Sequence, residues 1–231
     1  MSASPLACST CPVRDRAACS ALTEEQRGDL AALGQHRTLK RGETLFASGD
    51  DGFSCATLIA GALKISSFAE DGTERILSLV HPAGFVGEMF SAIERHDVIA
   101  LTDSTLCLFT RRDYERAIER FPALGRALLR RTAEDLFESR ATIDLMSRRN
   151  ARQKVAGFIL SIARAASHSP CHPAPAFELP LSREEIAGVL GLTIETVSRQ
   201  LTRLDRDGLI ARDGRRGIHL LNPAGLELLA A

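Results

Sequence analysis

The sequence predicts an α+β chain in which an antiparallel β-barrel is followed by one long helix and a winged helix-turn-helix. Three observations carry that prediction. Residues 186–204, IAGVLGLTIETVSRQLTRL, have the caps, turn glycine and apolar spacing of two short crossed helices. Residues 35–110 alternate short β-branched runs with glycine turns. Between these regions, residues 124–146 are helical in pattern, with no proline and no glycine after Gly125.

The elements follow in chain order. Residues 1–21 form a cysteine-bearing arm with little periodicity, and Thr23 with Gln26 reads as a capping box opening a short helix that Gly34 ends. Strands are expected at 44–46, 55–59, 63–68, 75–80, 98–101 and 105–110, separated by Gly42, Gly49-Asp50, Gly61, Asp71-Gly72 and Pro82-Ala83-Gly84. From Arg111 the pattern turns helical, and the long helix after Pro122 is expected to run past Asn150. Leu129, Leu136 and Ile143 recur every seven residues along it, as in a coiled-coil seam between two copies, although a packing face within one chain gives the same spacing. A helix over 153–166 leads into a Ser/His/Pro-rich hinge at 167–175. The domains are thus an arm at 1–21, a barrel at 22–121, a dimerisation helix at 122–150 and a winged domain at 151–231.

In the winged domain, Ser182 and Glu185 form a second capping box, and Ala187 is small where two helices cross. Gly191 suits a turn requiring positive φ, and Thr193 caps the next helix. Val197, Leu201 and Leu204 then face a core, which leaves Glu195, Thr196, Ser198 and Arg199 exposed at the helix start, the end that reads base edges in a major groove. Two short strands, 209–211 and 218–221, flank a glycine turn carrying Arg212, Arg215 and Arg216, which can reach a phosphate backbone. An ordinary helical hairpin and a solvated basic turn are the plain alternatives.

Charge supports a nucleic-acid partner for one half only. The chain balances 29 basic against 29 acidic residues, yet residues 1–146 carry 17 and 21 while residues 147–231 carry 12 and 8. The basic half is the half with the helix-turn-helix. No apolar run approaches the roughly 20 residues of a membrane span, and no secretory signal is recognisable, so a soluble, cytoplasmic protein is expected. The absence of tryptophan and a single tyrosine argue against stacking platforms for single-stranded nucleic acid.

Six cysteines remain: Cys8, Cys11 and Cys19 in the arm, and Cys55, Cys107 and Cys171 far apart. In a cytosolic protein a C-x2-C-x7-C arm indicates metal, zinc or an iron–sulfur cluster, rather than structural disulfides. Spacing alone does not name a fourth ligand. Cys55 and Cys107 read as core thiols and Cys171 as a surface thiol.

The order of these parts resembles the Crp/Fnr family of bacterial transcription regulators over nearly the whole chain. Two sets of residues are similar to its oxygen-sensing Fnr branch. Glu195-Thr196-Val197-Ser198-Arg199 matches the branch's E-x-x-S-R recognition signature; Cys8, Cys11 and Cys19 match its cysteine arm, and Cys107 falls at its fourth ligand. The resemblance implies a cyclic-nucleotide-binding-like jelly roll and a [4Fe–4S] cluster on Cys8, Cys11, Cys19 and Cys107. It also implies a homodimer tuned near Leu136 and Ser139, a palindrome of TTGAT-like half-sites in double-stranded DNA, and RNA polymerase as a partner. Glu195 would accept from a cytosine amine and Arg199 would fork onto guanine.

One family feature is missing. Cyclic-AMP-binding relatives follow Gly-Glu with Arg-Ser/Thr, whereas Gly87-Glu88 is followed here by His96-Asp97-Val98-Ile99, with an acid that repels phosphate. No cyclic nucleotide is therefore expected. Rival readings are a regulator of the same fold sensing redox, nitric oxide, haem or zinc; a thiol–disulfide enzyme on Cys8-Ser9-Thr10-Cys11, which lacks a surrounding βαβ pattern; and an architectural DNA protein, which the neutral charge disfavours. No enzymatic role is expected.

Overall fold

The computed structural model describes residues 8–148, 150–167 and 172–230, and it divides into two compact units, 1–137 and 138–231. In the first unit, short 3-10 turns at Cys8–Thr10 and Ala18–Ala21 precede helix α1 (Glu24–Ala32). Thr23 and Gln26 close the expected capping box of that helix. Eight strands follow: β1 (Gly34–Leu39), β2 (Thr44–Phe46), β3 (Ser54–Ala60), β4 (Leu63–Phe68), β5 (Glu74–Val80), β6 (Phe85–Val86), β7 (Asp97–Ala100) and β8 (Ser104–Thr110). They form two antiparallel four-stranded sheets, ordered β1-β8-β3-β6 and β2-β7-β4-β5, in a jelly-roll-like arrangement. Leu39, Ala56, Leu58 and Leu106 of the first sheet pack against Phe46, Leu63, Val98 and Ala100 of the second.

The first sheet buries both faces. Leu106 and Leu108 of β8 point into the jelly roll, so by strand alternation Cys107 and Phe109 point outwards. On β3, Ala56 and Leu58 point inwards while Cys55 and Ile59 point outwards. That is why β3 reads SCATLIA, a nearly continuous apolar run rather than an alternating one. The outer face lies under the arm, under α2 (Arg111–Arg120) and under the first turns of α3 (Pro122–Ser147), with Leu22, Tyr114, Phe121 and Leu124 in one cluster. The unit boundary falls within α3.

In the second unit, α4 (Ala151–Ala165) precedes β9 (Ala176–Glu178), α5 (Arg183–Leu190), α6 (Ile194–Arg206), β10 (Ile210–Asp213), β11 (Gly217–Leu220) and α7 (Pro223–Ala230). The strands form one sheet ordered β10-β11-β9.

Several sequence expectations need correction. The long helix does not run past Asn150: it stops at Ser147, and the Asn150 side chain caps α4 by accepting from the Arg152 amide. Gly34 does not end α1 but opens β1, whose polar GQHRTL is held by pairing with β8. Strands β6 and β9, short and dependent on their partners, were not expected.

Candidate functional site: a reading helix and a thiol pocket

The helix-turn-helix forms from local rules. Ser182 accepts from the Glu185 amide, and the Glu185 carboxylate accepts from the Ser182 amide at 2.7 Å. Gly191 sits at φ 61° with open space around it, so conformation rather than crowding requires glycine there. Thr193 caps α6 by accepting from the Thr196 amide. Val197, Leu201 and Leu204 are buried beneath, which fixes the outward face of α6.

Of the four expected contact residues on that face, Glu195 and Arg199 are exposed, while Thr196 and Ser198 are half-buried. The Thr196 hydroxyl meets Thr193 at 3.2 Å and accepts from Arg199 at 3.4 Å. Ser198 accepts from Arg183 at 3.3 Å. Arg183, the first residue of α5, is an orienting group that the sequence pattern did not single out. Glu195 is held below the usual carboxylate range by its own backbone amide and then by the Thr193 hydroxyl, so it stays an acceptor. An open groove lined by Ser198, Arg199, Thr202, Arg203 and Arg206 runs along the same face.

In the wing, β10 and β11 pair antiparallel around Gly214 at φ 58°. The three arginines of the turn are not equivalent. Arg212 is held by Asp205 at 2.8 Å, and half-buried Arg216 donates to the Pro180 carbonyl at 3.2 Å, whereas Arg215 is exposed.

The thiol pocket lies on the outer face of the first sheet. Val13, Ala17, Ile59 and Ala83 form a small apolar cluster there, and Cys11, Cys19 and Cys107 pack against it. Burial pushes the Cys107 thiol up to about 12, and Cys11, Cys8 and Cys19 add to the rise. Cys19 is pushed up to about 11, chiefly by burial and then by Cys11 and Cys8. Cys8 rises through burial and Cys11. Cys11, Cys19 and Cys107 thus share one apolar patch, and Cys8 acts on Cys107 with them, although among the described residues no three side chains stand at metal-ligating spacing. Arg27, only 7% exposed, clamps the arm by donating to the carbonyls of Cys19 and Leu22 at 3.2 and 2.8 Å. It was not apparent from spacing. Cys55 is fully buried beside Phe109 and Tyr114, a core thiol as its sequence context implied. Cys171 lies outside the described residues.

The arm and α3 share a core, because Cys19, Cys107 and Leu22 cluster with Leu124, Ala127 and Leu128. Further along α3, Leu129 and Leu136 are 71% and 50% exposed in the first unit, and Ile143 is 66% exposed in the second. Ser139 is half-buried. At the expected phosphate position Gly87 is at φ 116°, and a Cβ there would lie 2.9 Å from the Cys55 Cα. The Glu88 carboxylate meets His96 Nδ1 at 3.4 Å, and Asp97 accepts from the Ser48 amide.

Known proteins share this arrangement. Residues 153–229 match the Crp-like helix-turn-helix domain, and residues 36–121 match the cyclic nucleotide-binding domain. The chain is 36% identical to the transcriptional activator protein FnrL of Cereibacter sphaeroides over 91% of its own length and 86% of the relative's. It belongs to the Crp/Fnr family of transcription regulators. A second relative, the nitrogen fixation regulation protein FixK of Bradyrhizobium diazoefficiens, is 35% identical over 97% of this chain and 94% of that one. The solved structure of FixK2 from Bradyrhizobium japonicum superposes with a TM-score of 0.77 at 27% identity, covering 86% of this chain and 98% of that one. As a Crp/Fnr-family member the chain is a DNA-binding regulator rather than an enzyme. Its helix-turn-helix is the family's reading module, and its jelly roll is the family's nucleotide-binding fold. No helix among the described residues is long and apolar enough to cross a membrane.

Proposed function

We propose that this regulator is an oxygen-responsive activator of the Fnr type, working in the cytoplasm as a homodimer and binding TTGAT-like palindromes when oxygen is low. One observation carries the reading: Cys107, from β8, packs on the same apolar patch as Cys11 and Cys19 of the arm. Two segments 88 residues apart thus bring four thiols together with Cys8. The donor set suits a [4Fe–4S] cluster in number and type, since buried thiols such as Cys19 and Cys107, pushed up by burial and by neighbouring cysteines, become thiolates readily only around positive charge. Bound there, a cluster supplies an oxygen-labile centre. Four residues would hold it, Cys8, Cys11, Cys19 and Cys107, while Arg27 fixes the carbonyls of the arm.

Pinning the arm orders Cys19 and Leu22 against Leu124 and Leu128 at the start of α3. That packing biases the seam of Leu129, Leu136, Ser139 and Ile143 towards a second copy, which sets two reading heads on two half-sites. On each half-site Glu195 accepts from a cytosine amine, Arg199 forks onto guanine, and Thr196 and Ser198 complete the contacts. Arg215 and Arg216 touch phosphate, and the bound dimer recruits RNA polymerase. The barrel takes no cyclic nucleotide in this reading, because Glu88 is paired with His96 and the segment after it offers the acid Asp97 where cyclic-AMP-binding relatives have an arginine.

The test is a set of single substitutions on protein purified without oxygen. Cys8→Ser, Cys11→Ser, Cys19→Ser and Cys107→Ser should each abolish a brown chromophore and binding to the palindrome, whereas Cys55→Ser and Cys171→Ser should keep both. Cyclic AMP should leave the melting temperature unmoved, although a ligand at 100 times its Kd stabilises a fold by roughly 2.7 kcal/mol. A chromophore that survives Cys107→Ser, or stoichiometric zinc in place of iron and sulfide, contradicts the cluster.

A further inference from the structure

The arginines of the winged domain are sorted by what holds them. Arg152 pairs with Asp207, and Arg212 pairs with Asp205 at 2.8 Å, so arginines outside the groove hold both acids at the end of α6. On the groove itself Arg199, Arg203 and Arg206 are exposed. The Arg206 side chain is 74% exposed and makes a loose ion pair with Asp207 at 3.9 Å. The groove is therefore a row of exposed cations, with Asp205 and Asp207 each held closer by an arginine outside it and Asp207 only loosely by Arg206.

We propose that Arg203 and Arg206, with Thr202, form a phosphate-binding strip that holds the DNA backbone at the rim of the major groove. This strip is separate from the base contacts at the start of α6. Residues 199, 203 and 206 share one helix face, at steps of four and three. At 1.5 Å per residue, Arg206 lies about 10 Å along the axis from Arg199. The major groove of B-DNA is about 12 Å wide. A helix placing Arg199 on base edges therefore carries Arg206 to the groove wall, where phosphates line the rim. Arg203 stands between them. Contacts of this kind set register and affinity without reading sequence. The inference rests on the regulator's binding to DNA, and the choice of TTGAT is a separate matter.

Salt dependence of binding tests it. The full-length chain, purified without oxygen, is titrated against a TTGAT palindrome and a random duplex between 50 and 200 mM salt. Arg203→Ala and Arg206→Ala should each weaken both duplexes by the same factor. Each should also lower the slope of log affinity against log salt by about 0.9 per lost phosphate contact, so that the deficit shrinks about threefold across that range. Arg203→Lys should keep the slope, and Arg164→Ala, which removes a cation paired with Glu227 on α7, should not change it. The alternative role for cations in the last turn of α6 is to stabilise the helix against its dipole. Unchanged slopes, with or without a lower melting temperature, overturn the strip, as does a loss confined to the palindrome. If the palindrome proves no tighter than random DNA, the TTGAT reading fails, while the random-duplex slopes still decide the strip.

Discussion

The reading head and the thiol pocket solve opposite problems. In the head, most groups are set by residues within a turn or two of them: Thr193 caps, Gly191 turns, and Val197 and Leu204 anchor, with Arg183 of the preceding helix alone reaching across to Ser198. Glu195 and Arg199 stand exposed on its outer face. In the pocket, the groups come from distant segments and sit half-buried against apolar side chains, and Cys8, Cys19 and Cys107 are pushed away from their charged forms. The head is complete as folded, while the pocket's electrostatics favour the arrival of positive charge.

The sharpest way to break the comparison is to attack the anchor of the head. Leu204 is fully buried, so Leu204→Ala should cost about 2–5 kcal/mol, seen as a lower melting temperature for the second unit, with the thiol pocket intact. A loss below 1 kcal/mol would show that the head is not held by its local core.

The pocket side is next. His81 lies in the loop that delivers Ala83 to the thiols, and burial, with Arg131 beside it, pushes its imidazole down to about 4. Below about pH 6.5 the unfolded chain takes up a proton that the folded chain refuses. Stability should therefore fall between pH 6.5 and 4, by up to about 3 kcal/mol. Chemical denaturation of His81→Asn across that range should give a flatter profile, and equal slopes for the two proteins would contradict the burial.

Smaller effects sharpen the head. Arg199→Ala should cost about 1–3 kcal/mol on a TTGAT palindrome and relax the preference at guanine, measured by titrating single-base variants. Equal losses on random duplex would make Arg199 a phosphate contact. Thr193→Ala should cost about 1 kcal/mol of stability through the lost cap, and no change in thermal melting would mean that the cap is dispensable.

What was legible in the sequence divides along the same line. Both capping boxes, Gly191 and the buried repeat of α6 were readable because their causes lie a few residues apart. Six of the eight jelly-roll strands were readable from turn glycines and β-branched runs. The polar β1 and the two-residue β6 were not, because only their partners make them strands. The break after Ser147 was missed because its signal is an asparagine cap rather than a proline or glycine. In the pocket, the spacing of the arm cysteines was readable as a group, but Cys107 stood out only through family resemblance. Strand alternation on β8 and the packing of the arm bring it into the group. Arg27 and Arg183 act through three-dimensional neighbours, and nothing in their local sequence marked them.

The central claim is that the pocket governs the head. One sample decides it: full-length protein purified without oxygen, with its absorption spectrum, iron and sulfide content and affinity for the TTGAT palindrome measured before and after exposure to air. The account expects one iron–sulfur cluster per chain and a brown colour, with colour and tight binding lost together in air. A colourless protein whose affinity is the same before and after air would contradict it.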